Sequence, residues 1–258
     1  MTQEGRRKFL IEHLLLENHS KAKMPREEIS QKRLLRALLN MRMPKTASEE
    51  FLQIQDEYLQ EELRIKGVTD IADLRPIAPN TYLWQGDITT LKCDAIVNAA
   101  NSQMLGCFCS NHGCIDNAIH TFAGAQLRLE CAQIMSKQGT DEPTGRAKIT
   151  GAYNLPCKYV LHTVGPIVRG ALTQKNEDEL ASCYNSCLAI ADKYRLQSIA
   201  FCCISTGEFA FPNKRAAQIA VNSVLKYKTD TKSNIKVVFN VFKDLDYEIY
   251  SRLLGANK

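Results

Sequence analysis

Residues 95–131 read AIVNAANSQMLGCFCSNHGCIDNAIHTFAGAQLRLEC. The run AIVNAA at 95 is short, apolar and strand-like, whereas residues 115–131 carry apolar side chains at helical spacing. A strand, a loop and a helix in succession are the repeating unit of an α/β fold. The alternation continues outward on both sides. Further apolar runs are YLWQ at 82, KITGAY at 148, YVLHTV at 159, SIAFCCIS at 198 and IKVVFNVF at 235. Further helical patterns lie near 179–194, 213–227 and 244–254. Together they predict an α/β sandwich around a mostly parallel sheet, occupying residues 76–258. No G-x-G-x-x-G and no Walker A sequence occurs, which excludes the two commonest nucleotide fingerprints.

Residues 1–75 have a different texture. Phe9, Leu10, Leu14 and Leu15 fall at helical spacing. A second face is Ile29, Leu34, Leu35, Leu38 and Leu39, entered through Pro25 and closed before Pro44. A third is Phe51, Leu52, Ile54, Tyr58, Leu59 and Leu63, with Ser48 as N-cap and a stop near Gly67. Three amphipathic helices are expected, and their apolar faces need a partner, either the sandwich or a protein substrate. Residues 69–80, with two prolines, read as a connection.

The bulk composition narrows the function. A formal charge of +5 suits a phosphate-bearing ligand or an acidic protein. There are no clustered basic runs interleaved with aromatics, so nucleic acid is not the expected partner. No run of about 18 apolar residues suggests a membrane span. Glu12 and His13 interrupt the apolar stretch after the first arginines, so a helix is expected there rather than a signal peptide. The ten cysteines do not read as a disulfide framework, and a reducing cytoplasm is the expected setting.

The loop at 107–114 carries the chemistry. Cys107, Cys109, His112 and Cys114 crowd four soft or borderline donors into eight residues, and thiolate with imidazole suits one zinc ion. Four protein ligands would make a closed structural site; three would leave a position open. Spacing alone leaves both open, beside the plainer reading of incidental cysteines near a surface histidine. The cluster precedes a helix start at Ile115 and Asp116, where free N–H groups favour anions. Asp116 is a candidate base, or simply a residue that balances the helix dipole.

Other polar residues sit at strand ends. Asp87, in Gly86-Asp87-Ile88-Thr89, can accept from an exocyclic amine or serve as a turn residue. Asn98 and Asn101 are not diagnostic alone. Ser205-Thr206-Gly207-Glu208-Phe209 follows the most apolar strand, where backbone N–H groups can meet a pyrophosphate. His162 and His120 are expected in the fold rather than as ligands.

Five ordered blocks resemble the macrodomain family: GDIT at 86, DAIVNAAN at 94, AIHTFAGAQLRLEC at 118, TGRAKITGAYNLPCKYVLHTVGP at 144 and ISTGEFAFP at 204. The resemblance implies a three-layer α/β/α sandwich with a mixed central sheet that binds ADP-ribose. GCFCSNHGCIDN at 106 is similar to the zinc-dependent subgroup, which also carries an N-terminal helical extension. That match implies Cys107, His112 and Cys114 as zinc ligands, with Cys109 at a variable position and Ser110 where the pattern often has proline. It further implies Asp87 at the adenine amine, with Ile88 beside it through its backbone. Asn101 would lie at the distal ribose, and Cys114, Ile115 and Asp116 along the ligand. Ser205, Thr206, Gly207 and Glu208 would surround the phosphates and Phe209 the distal ribose, with Asn240 and Phe242 near adenine. Asp116 and Asn101 are the implied catalytic pair.

The function implied is zinc-dependent removal of mono-ADP-ribose from proteins, at an ester to an acidic side chain. The expected partners are an ADP-ribosylated protein, such as a lipoylated carrier resembling the glycine-cleavage H protein, and a sirtuin-type ADP-ribosyltransferase. A binding module without turnover and an O-acetyl-ADP-ribose deacetylase are the alternatives.

Overall fold

The computed structural model describes residues 1–255. Three helices come first: α1 (Gln3–Glu17), α2 (Glu28–Met41) and α3 (Glu49–Lys66). Thr2 and Ser48 cap α1 and α3 by accepting the N–H groups of Gly5 and Phe51. Gly67, at φ +89°, ends α3 where the sequence predicts a stop. The apolar faces of these helices pack on one another. Leu10, Ile11, Leu14, Leu35, Leu38, Phe51, Ile54 and Tyr58 form a core of their own, separate from that of the remainder. Ile29 departs from its expected face and is exposed in the first turn of α2.

A two-residue strand, β1 (Thr69–Asp70), follows within the segment expected to be only a connection, and pairs in parallel with β3 (Leu91–Lys92). The main sheet contains β2 (Thr81–Gln85), β4 (Ala95–Ala100), β5 (Ala147–Gly151), β6 (Tyr159–Val164), β7 (Ser198–Phe201) and β8 (Lys236–Val241). Their order is β2-β8-β7-β4-β6-β5. All neighbours are parallel except β5 and β6, so the sheet is mixed as expected. Helices α4 (Ile115–Ala123), α5 (Ala125–Gln138), α6 (Gln174–Lys193), α7 (Asn213–Thr231) and α8 (Asp244–Leu254) flank it. Buried Ile96, Val97, Val160, Leu161, Ile199, Val237 and Val238 fill its centre, as the near-continuous apolar runs of a doubly covered sheet require.

Two further expectations are corrected. The run at 198 leaves the sheet after Phe201, so Cys202 and Cys203 lie beyond the strand. The single helix expected over 115–131 breaks at Gly124 into α4 and α5. Gly124 has φ +95° and ψ 177°, and a Cβ there would come within 2.6 Å of Gln55 Nε2 and 2.8 Å of Gln126 Oε1. Backbone of that kind is nearly restricted to glycine. Gly124→Ala should therefore lower unfolding free energy by roughly 1–3 kcal/mol, read from urea denaturation; an unchanged midpoint and slope would contradict the strain.

Candidate active site

The parallel strands bring the expected site residues to one edge. Asp87 follows the carboxyl end of β2, Asn101 that of β4, and Ser205 lies shortly beyond β7. Ligands of open α/β sheets bind outside these ends.

The chain between β4 and α4 folds into the donor loop. Asn111 takes a left-handed turn at φ 55°, and His112 N donates to Cys109 O at 3.2 Å. The ligand atoms of Cys107, His112 and Cys114 lie within 4.8 Å of one another, with Cys107 Sγ and His112 Nδ1 3.5 Å apart. Cys109 is exposed and outside this group. Cys114 is also the N-cap of α4, accepting from Asn117 N at 3.4 Å. Burial pushes its thiol up to about 12; Cys107 and Asp116 push the same way and the Asn117 N–H opposes them. A thiol so placed ionises readily only beside a cation. Tetrahedral zinc, with bonds of about 2.3 Å to sulfur and about 2.0–2.1 Å to nitrogen, separates such ligands by about 3.5 Å. The donor set fits zinc. The remaining imidazole nitrogen of His112, Nε2, is 3.4 Å from Glu208 Oε1.

Beneath the loop, the first turn of α4 buries Asp116. Its Oδ1 accepts from Asn98 Nδ2 at 2.8 Å and its Oδ2 from Asn101 Nδ2 at 3.3 Å. Burial raises this carboxyl to about 6, with Asn98 and Arg128 pulling it down. Asn98 Nδ2 also reaches His162 Nδ1 at 3.1 Å, and His162 Nε2 is 2.9 Å from Thr150 Oγ1. An amide N–H can only donate, so His162 Nδ1 accepts and Nε2 carries the proton. His120, Cys131 and His162 form a second cluster of possible metal donors among the described residues. With both nitrogens of His162 in hydrogen bonds, that cluster reads as part of the fold.

At the other end, Asp87 Oδ1 accepts from Thr89 N at 2.9 Å and Thr89 Oγ1 at 2.6 Å, while Oδ2 pairs with Lys66 from the end of α3. Burial alone would raise Asp87, but Lys66 and Thr89 outweigh it and hold the carboxyl below its ordinary value. Ile88 is buried in the short turn that follows. Asn240, on β8, donates to Gly86 O at 3.0 Å and so anchors that turn from within, while Phe242 stands exposed just past the strand.

The loop after β7 is built around Ser205, at φ 64° and buried, whose carbonyl accepts from Phe211 N at 3.0 Å. Thr206 Oγ1 donates to Cys203 O, and Phe209 O accepts from Val168 N. Gly207 and Glu208 are exposed at the tip, Phe209 is half-buried, and Ile115 is partly buried at the start of α4. Lys66, Asn98 as a bridge and the partners of His162 were not singled out as site residues from sequence. Each acts through a contact distant in the chain, and only the strand-end position of Asn98 hinted at it.

Residues 97–220 match the Macro domain family model. A protein-ADP-ribose hydrolase of Treponema medium is 56% identical over 99% of this chain and 100% of its own length. The chain belongs to the macrodomain family. A protein-ADP-ribose hydrolase of Staphylococcus aureus (strain MSSA476) is 54% identical to this macrodomain, covering 87% of this chain and 85% of that one. The crystal structure of the Trypanosoma brucei macrodomain in complex with ADP-ribose is similar with a TM-score of 0.66 and 33% identity, over 85% of this chain and 95% of that one.

Two expectations follow from the geometry. If the three donors hold zinc, Cys109→Ser should keep the wild-type zinc content by elemental analysis, whereas Cys107→Ser should lose most of it; loss from both would make the site a closed, four-ligand one. Burial drives His162 down to about 3, below the ordinary value of about 6.5. The unfolded chain therefore binds the proton first, and stability falls as pH drops from about 6.5 towards 3, by about 1.4 kcal/mol per pH unit. Buried His120 is shifted in the same direction. Nitrogen-15 spectra should show His162 neutral, with the proton on Nε2, down to about pH 5; protonation near 6.5 would refute the burial argument.

Proposed function

We propose that this macrodomain is a zinc-dependent hydrolase that removes mono-ADP-ribose from proteins by cleaving an ester between the distal ribose and an acidic side chain. The observation that carries the reading is the meeting of Cys107, His112 and Cys114 with buried Asp116 and Asn101 at the sheet's carboxyl edge. The names of the Treponema and Staphylococcus relatives and the ADP-ribose complex of the Trypanosoma macrodomain support it.

In this reading Asp87 and the Ile88 backbone hold adenine, with Asn240 fixing their turn. The loop of Ser205, Thr206, Gly207 and Glu208 follows the pyrophosphate, and Phe209 packs near the distal ribose. Asn101 orients that ribose. A zinc ion on Cys107, His112 and Cys114 would supply Lewis-acid polarisation and an open coordination position. Asp116 takes a proton from the attacking water as its oxygen adds to the ester carbonyl; the ribose–carbonyl bond breaks and Asp116 returns that proton to the leaving ribose oxygen, giving ADP-ribose and the free side-chain acid.

Cysteine usage extends the proposal to a reducing cytoplasmic setting, and the zinc-dependent resemblance extends it to partners. There the substrate would be a lipoylated carrier resembling the glycine-cleavage H protein, modified by a sirtuin-type ADP-ribosyltransferase.

Incubating the protein with a mono-ADP-ribosylated substrate, with and without a chelator, tests the reading. Release should be chelator-sensitive and restored by zinc. Asp116→Ala and Cys107→Ala should each reduce it by roughly 10²–10⁴-fold. Tight retention of the label without release would instead mark a binding module, and wild-type rates in both variants would remove the mechanism.

A further inference from the structure

The N-terminal helices do more than add a second core. One face of α2 grips the donor loop through its backbone. Arg36 Nη2 donates to His112 O and to Asn117 Oδ1, both at 3.0 Å. Asn40, fully buried, accepts from Asn111 N at 2.9 Å and donates to Thr121 Oγ1 at 2.7 Å. The two grips join inside α4. Asn117 Nδ2 donates to Cys109 O at 3.0 Å and Cys107 O at 3.4 Å, and Thr121 Oγ1 donates to Asn117 O at 2.7 Å. From the α5 side, Arg128 Nε donates to Leu105 O at 2.8 Å while its Nη1 reaches Leu39 O at the end of α2.

The backbone on either side of the His112 side chain is therefore fixed by α2: Asn111 by its N–H, His112 by its carbonyl. Cys107 and His112 come from a loop that makes few hydrogen bonds within itself. The relative placement of their donor atoms depends on these outside contacts. Groups of this kind, one bond removed from the ligands, tune metal affinity.

The geometry points to α2 as part of the metal centre, with Arg36 and Asn40 as positioning residues that set the ligand geometry and hence zinc affinity. This rests on the zinc reading above. It gives the helical extension a role in the site itself, where the sequence suggested only packing or substrate recognition.

The test uses the full chain as wild type, Arg36→Ala, Asn40→Ala and Gln60→Ala. Gln60 on α3 donates to Asn154 O at 3.0 Å, so its loss weakens the docking of the extension without touching the loop. Zinc affinity is measured by competition with a chromophoric chelator, and cobalt(II) absorption reports ligand geometry. Arg36→Ala and Asn40→Ala should bind zinc roughly 10–100-fold more weakly, with a shifted cobalt spectrum. Gln60→Ala should match wild type in both, and Arg36→Lys, which keeps a donor, should recover part of the affinity. If Asn40→Ala does not fold, Arg36→Ala, at a half-buried position, still decides. Wild-type zinc affinity and cobalt spectra in Arg36→Ala overturn this inference alone; equal weakening in Gln60→Ala also overturns it, in favour of general stabilisation. A wild-type chain that binds no zinc overturns the metal reading and this inference together.

Discussion

The side-chain amide of Asn98 is the contact on which the candidate site depends. It lies on the central strand β4 and donates both ways, to Asp116 on α4 and to His162 on β6. An acceptor on each side fixes its orientation, and that orientation fixes the imidazole tautomer, whose other nitrogen rests on Thr150 in β5. Three neighbouring strands thus aim one carboxylate. In a low-dielectric interior such bonds hold geometry firmly where donor meets acceptor, as both N–H groups of the Asn98 amide do, while its Oδ1 is buried without a partner. The raised Asp116 carboxyl follows from the same burial.

The extension meets the sandwich through polar contacts as well as packing. Its apolar side chains are turned inward to their own core, with Ala125 of α5 at the margin. Across the junction run Gln55 to Ala125 N and Gln126, Asp56 to Gln126 and Asn154, and Arg36 and Asn40 to the donor loop. Hydrogen bonds specify geometry more tightly than apolar contact, which is non-directional. Two of these directional contacts fall on the backbone of the donor loop, at Asn111 and His112.

A carboxylate has a nitrogen partner at both ends of the edge. Lys66 pairs with Asp87, and His112 faces Glu208. A carboxylate at the tip of an expected phosphate loop would repel an anion on its own; here an imidazole nitrogen lies 3.4 Å from it. Glu208, implied by resemblance at the phosphates, thus also lies against the donor loop, a proximity only the fold reveals.

Much of this protein is written in local pattern. Apolar runs marked β2, β4, β6 and β8, and Ser48 and Gly67 bounded α3, because burial periodicity and end-capping leave traces within a few residues. The break at Gly124 was missed because apolar spacing runs on through a glycine whose backbone is dictated by its neighbours, Gln55 among them. The donor residues, too, were legible as types: four soft or borderline donors in one loop. Which of them converge, with Cys109 left outside, was decided by the turn at Asn111 and by α2 holding it. Lys66 at Asp87 and Arg36 at His112 join residues far apart in sequence, and pairings of that kind leave no periodic mark in the chain. Sequence determined the elements and the chemistry available; tertiary contact decided which groups meet, because directional bonds between distant residues exist only once the sheet and helices have closed.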